Sequence, residues 1–238
     1  MARSLTEKFY QEVLQILAQS KQSFLVGGTY ALNEYTGMDR ATKDLDIFTT
    51  AGNYLKIISH FHGKNYKTEI LDARWLAQIK RGSAYVDVIF SSVHGVMPIT
   101  EEWFSDTTKA CMYGVNVRLP SPTFLIWSKI LMQSRAKYDG PDVAHLILTQ
   151  SQRINWQQLL SRLEPYWEVL LAQLINFRFI YPSERAMVPD WLMQELVDRL
   201  QRQMELPVPK DRVSRGQLLS RQDYLVDSEK FGFKGITE

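Results

Sequence analysis

The chain has 238 residues, of which 45% are hydrophobic and 12% aromatic, so it can bury a substantial core as one large domain or two small ones, and a disordered class is excluded. Lys and Arg number 28 against 26 Asp and Glu, a formal charge of +2, and no global charge excess directs the chain to nucleic acid or to an anionic membrane. The single cysteine, Cys111, excludes an internal disulfide and fits a reducing compartment.

The first twenty residues carry Arg3, Glu7, Lys8 and Glu12, with Leu5, Phe9, Val13, Leu14 and Leu17 at three- and four-residue spacing. That pattern is an amphipathic helix and not a signal peptide. No apolar run approaches the roughly 20 residues that span a bilayer, so the expectation is a soluble cytoplasmic protein. Phe24 to Val26 reads as a short buried strand that ends in Gly27-Gly28, a pair that permits a tight turn and a close backbone approach to a ligand. A helix over Thr29 to Tyr35 follows, and its unpaired first N–H groups make a phosphate seat beyond the strand end.

The next segment is DLDIF, Asp44 to Phe48, where Asp44 and Asp46 stand two residues apart. In a strand such residues share a face. Two like charges so placed repel each other and are usually held by a cation. Tyr54 to Phe61 reads as a helix; Trp75 to Ile79 and Tyr85 to Phe90 read as strands, joined by Arg81-Gly82-Ser83. Asp87 lies at the centre of the second strand among Val86, Val88, Ile89 and Phe90, and a carboxylate there needs a partner. Arg74 or Arg81 would serve; so would a site shared with Asp44 and Asp46, if the two strands are neighbours.

Cys111 to Leu119 reads as two short strands around Gly114. Ser121-Pro122 signals a helix start, with Ser121 as the cap and the helix running to Gln133. Lys129 lies two turns into that helix. Asp139 and Asp142 sit at the start of another helix, which reaches Leu148, where acids suit the helix dipole. The remainder is helical over Trp156 to Leu163, Pro165 to Phe179 and Pro189 to Gln203. A polar loop follows Pro207, and a last short helix lies near Gln222 to Lys230. Trp156, Trp167, Phe177, Phe179, Tyr181 and Trp191 are expected in the core of this half, and the four histidines are ordinary. The fold class is thus α/β (α+β): an α/β domain over 1–119 and a helical domain with a polar tail over 120–238.

FLVGGTYAL, RATKDLDIF and YVDVIF together resemble the nucleotidyltransferase superfamily that includes DNA polymerase β: an apolar strand, a Gly-Gly turn, a helix, a strand with Asp-x-Asp, and a third acid on an adjacent strand. LPSPTFLIWSKIL and RAKYDGPDVAHLI resemble the helical part of bacterial relatives, some of them toxins of the AbiEii kind. The resemblance implies a mixed sheet flanked by helices, with NTP and acceptor bound in a cleft against the helical domain. It also implies metal-dependent transfer of an NMP from an NTP to a hydroxyl. Two divalent ions about 3.5–4 Å apart promote such in-line attack. Asp44 and Asp46 would hold Mg²⁺ or Mn²⁺, and Asp87 would help hold the ion nearer the nucleophile or act as the base. Gly27, Gly28 and Thr29 would cradle the triphosphate, with Arg40, Lys43 and Lys129 as its cations, although a lysine flanked by Ile126, Trp127 and Ile130 also reads as one snorkelling from a buried helix. The acceptor is open: an RNA end such as tRNA, a protein hydroxyl, or a small molecule such as an aminoglycoside. Two other readings are a catalytically silent nucleotide- or partner-binding relative, and a toxin with an antitoxin partner. For the toxin reading, Arg135, Lys137, Lys210, Arg212, Arg215 and Arg221 could form a local RNA patch.

Overall fold

The computed structural model describes residues 4–64 and 66–235; Arg3, one of the N-terminal charges, lies outside them. The chain divides into two compact units, Met1–Leu125 and Ile126–Glu238, and the division falls inside the helix Pro122–Ile130 (α4).

The first unit opens with α1, Leu5–Gln19, whose start is closed by a capping box. The Glu7 N–H donates to Ser4 Oγ, and the Ser4 N–H donates to Glu7 Oε2. Its buried stripe is Phe9, Tyr10, Val13, Leu14 and Leu17. Five strands follow: β1 Leu25–Val26, β2 Leu45–Phe48, β3 Lys67–Asp72, β4 Leu76–Arg81 and β5 Ala84–Ile89, arranged in one sheet in the order β1-β2-β5-β4-β3. β2 and β5 run parallel, while the other neighbours are antiparallel. Between strands lie α2, Gly28–Thr36, and α3, Tyr54–His62.

The period-2 alternation of a strand sorts the two faces of this sheet. Leu45, Ile47, Val86, Val88, Ala77 and Ile79 are fully buried. Asp46, Asp87 and Gln78 alternate with them and are half-buried on the other face. β3 has no counterpart among the expected strands, because KTEILD carries the mixed polarity of an exposed edge strand.

A hairpin of β6, Thr107–Met112, and β7, Val115–Pro120, ends the unit's strands; it begins four residues before the strand expected at Cys111. Tyr113 and Gly114 close it with φ of 52° and 80°, the left-handed pair of a type I′ turn. The fully buried Trp103 anchors the core, stacked on Phe124 and edge-on to Phe48.

The second unit contains α5, Gly140–Gln150; α6, Trp156–Arg162; α7, Trp167–Ile180; α8, Asp190–Glu205; and α9, Arg221–Glu229. Its core includes Leu146, Leu159, Leu174, Phe177, Leu192 and Leu196. Three expectations are corrected. α4 ends at Ile130 and not at Gln133, because the Met132 N–H turns back onto the Lys129 carbonyl. Ser121 Oγ is buried with no hydrogen-bond partner, so it does not cap α4. Phe179 and Trp191 are 85% and 42% exposed; Phe179 lies two residues past the buried Phe177, on the far side of α7. The loop after Pro207 also includes a two-residue strand, β8 Val213–Ser214, paired with β9 Lys234–Gly235. Among the described residues, no helix is long and apolar enough to cross a membrane.

Candidate active site

Asp46 and Asp87 are direct register partners on the parallel neighbours β2 and β5. Asp44 immediately precedes β2. One carboxylate oxygen from each of the three lies within 4.8 Å of the others, and all three residues are half-buried. The strand pairing thus brings together acids that are 41 to 43 positions apart in the chain. The two arginines that could have neutralised Asp87 are engaged elsewhere: Arg74 binds Asp72, and Arg81 binds Glu12. Tyr85, two residues before Asp87, registers the resulting field. Burial, and then the charges of Asp44, Asp87 and Asp46, push its hydroxyl above the usual phenol range.

The glycine turn lies against this cluster. The Gly27 N–H donates to the Asp46 carbonyl at 2.9 Å. A Cβ on Gly27 would stand 2.6 Å from the Phe48 ring, and one on Gly28 would stand 1.8 Å from Asp46 Oδ2. Gly28 also has φ +56°, in the left-handed region. Only residues without side chains allow the backbone to approach the carboxylate this closely. α2 starts here with no side chain capping its first N–H groups. Arg40 Nη2 donates to Thr29 Oγ1 at 3.1 Å, while its backbone N–H and carbonyl pair with the Asn33 side chain. The loop after α2 is thereby folded back, with a guanidinium beside the turn. Lys43 is exposed, and its carbonyl accepts from the buried Tyr10 hydroxyl.

Lys129 belongs to the second unit, where it is 5% exposed. Its ammonium donates to Asp142 Oδ2 at 2.7 Å and approaches Asp139 Oδ2 at 3.5 Å. Asp139 occupies the N-cap position of α5 and Asp142 its first turn, as expected of helix-start acids, and both also act as counter-ions to Lys129.

Sequence reasoning missed Thr42 and Gln78. Thr42 Oγ1 donates to Asp44 Oδ1 at 2.7 Å, and Gln78 Nε2 donates to Asp87 Oδ1 at 2.6 Å. Gln78 carries the same signal as Asp87, a polar side chain within the apolar run Leu76, Ala77, Ile79, but without a charge to draw notice. Tyr10, Tyr30 and Tyr113 form a further aromatic group, with the Tyr30 and Tyr113 hydroxyls in contact.

Chemically, the arrangement offers three hard oxygen donors converging on one point, next to a backbone turn that accepts close approach. That donor set fits a divalent ion such as Mg²⁺ or Mn²⁺.

No protein-family model matches the chain, and no curated protein matches it. Among solved structures, it resembles a nucleotidyltransferase-like protein from Paracoccidioides brasiliensis, at TM-score 0.47 and 16% identity over 76% of this chain and 91% of that one. It also resembles ANT(2″)-Ia in complex with adenylyl-2″-tobramycin, at TM-score 0.45 and 13% identity over 75% and 99% of the two chains. A third is the lincosamide antibiotic adenylyltransferase LnuA, at TM-score 0.42 and 18% identity over 60% and 96%.

Proposed function

We propose that the first unit is a metal-dependent nucleotidyltransferase that moves an NMP from an NTP to an acceptor hydroxyl. The observation that carries this reading is the register pairing of Asp46 with Asp87, with Asp44 within 4.8 Å, beside a glycine turn that a side chain on Gly28 would fill. A bound divalent ion would supply the charge that makes attack on an already anionic α-phosphate feasible.

The residues divide the remaining tasks along the sheet. Gly27, Gly28 and Thr29 lie at the β1 end, where backbone N–H groups at the start of α2 suit the triphosphate, and Arg40 adds a cation there. Asp46 on β2, Asp44 just before it and Asp87 on β5 would hold the metal. Asp87, on the β4-facing side, meets the acceptor. In the transfer, the hydroxyl oxygen bonds to the α-phosphorus and its proton passes to Asp87. The bond from the α-phosphorus to the bridging oxygen breaks, and pyrophosphate leaves. Lys129 has no part in this scheme, since two carboxylates of its own unit already hold its ammonium.

The test is transfer from each α-labelled NTP, with Mg²⁺ or Mn²⁺, to total RNA, cell lysate or the protein itself, run beside Asp44→Asn/Asp46→Asn. Label in one acceptor class, absent from the variant, is the expected result, and it identifies the acceptor at the same time. No label with any nucleotide from folded, metal-binding protein would overturn catalysis and leave a silent nucleotide-binding relative.

A further inference from the structure

Several carboxylates of this chain face a cation. Asp142 and Asp139 face Lys129, Asp72 faces Arg74, and Glu69 faces Lys80. In the cluster, two of the acids accept from neutral donors: Thr42 Oγ1 donates to Asp44 Oδ1 at 2.7 Å and Gln78 Nε2 donates to Asp87 Oδ1 at 2.6 Å. The geometry of the third acid, Asp46, is limited by Gly28, whose missing Cβ leaves room for Oδ2.

We infer that Thr42 and Gln78 are positioning residues for a divalent-cation site, each fixing one oxygen of its acid without cancelling the acid's charge. The inference rests on the reading of the site given under Proposed function. Three carboxylates this close repel one another and would swing apart if they were unrestrained. A lysine or arginine could restrain them, but its charge would compete with the metal. A hydroxyl or an amide N–H restrains the carboxylate and leaves its charge available, as the partners of metal ligands commonly do. The amide of Gln78 must present its nitrogen to Asp87, because an ionised carboxylate only accepts. Its register is fixed as well: Gln78 stands directly opposite Asp87 between β4 and β5, with Ala77 and Ile79 fully buried on either side. The position therefore tolerates no slip that would remove the bond.

Mn²⁺ binding without nucleotide, followed by the electron paramagnetic resonance signal of the free ion, tests this apart from catalysis. Wild type and Thr42→Ser, which keeps the hydroxyl, should bind alike. Thr42→Val and Gln78→Met should bind about 10- to 100-fold more weakly, and Asp87→Asn should lose the site. Unchanged affinity in Thr42→Val and Gln78→Met, with Asp87→Asn still defective, would overturn the positioning role while the metal site stands. Equal binding by wild type and Asp87→Asn would overturn the site itself, and the positioning role with it. Melting temperatures are measured in parallel. The Thr42→Val and Thr42→Ser pair, in a loop, decides the matter even if Gln78→Met is destabilised.

Discussion

At the scale of single residues, the close approach of Gly28 to Asp46 makes two glycines with the same backbone strain behave differently. Gly28 and Gly37 both have positive φ, +56° and +70°. Alanine at either position costs about 1–2 kcal/mol for the left-handed conformation. At Gly37 a new Cβ meets nothing within 4 Å; at Gly28 it meets Asp46 Oδ2 at 1.8 Å. Gly37→Ala should therefore lower the melting temperature by about 2–4 °C per kcal/mol and leave Mn²⁺ affinity intact. Gly28→Ala should lower it further and also weaken Mn²⁺ binding, since the Asp46 carboxylate must move. Equal effects of the two substitutions on metal affinity would show that the contact is incidental. The same contrast explains why this part of the candidate site was legible in the sequence: Asp46, Asp87 and the glycine pair break the apolar pattern around them, and Asp44 stands two residues from Asp46. Thr42 and Gln78 draw no such notice, even though Gln78 also interrupts an apolar run, because a neutral hydroxyl in a loop and an amide in a strand are common where no ligand binds.

At the scale of elements, the ion pairs of Lys129 join the last turn of α4 to the first turn of α5. Lys129 lies at the C-terminal end of one helix, and Asp139 and Asp142 lie at the start of the next, so both helix dipoles favour the arrangement. All three are at most 7% exposed. Removing one member of such a group leaves a buried charge uncompensated, which costs about 3–5 kcal/mol. Lys129→Met should thus lower the urea midpoint strongly, and Lys129→Met/Asp142→Asn should lose less than the sum of the two single changes. Additive losses would mean that the pair contributes little to the join. The acids are ten and thirteen positions from the lysine, and no periodicity links them. The bend at Met132 brings them together, so the sequence offers the helix-start role of the acids but not their partner. The edge strand β3 was hidden for a related reason: its strand character is set by pairing to β4, not by its own mixed polarity.

At the scale of the whole molecule, the described titrating groups set a pH window of stability. On the acid side, Asp72, Glu69 and Asp223 are held below the usual carboxylate range by Arg74, Lys80 and the Arg135 backbone N–H respectively. Their contribution is present above the unfolded carboxylate values and lost as pH falls through the lowered ones; since all three are solvated, it is small. On the alkaline side the groups are phenols. Burial first, and then Asp44, raises Tyr10; burial and the Tyr113 hydroxyl raise Tyr30; burial raises Tyr66 and Tyr85. Each phenol is held neutral in the fold, so its contribution is complete below the unfolded value of about 10 and lost as pH climbs through the raised folded values. All four lie in the first unit, and Tyr10 and Tyr30 belong to the aromatic group that joins α1, α2 and the β6–β7 hairpin. The melting temperature should therefore be nearly flat from about pH 5 to 9 and fall increasingly steeply above about pH 10. The tyrosinate absorbance at 295 nm should appear together with unfolding for these residues. Tyr10→Phe, which loses the hydroxyl bond to the Lys43 carbonyl, should be less stable at neutral pH and show a shallower alkaline decline. Full tyrosinate formation near pH 10 in protein that stays folded would mean that the phenols are reachable by solvent, and that the aromatic group is not what holds the hairpin and the helices together.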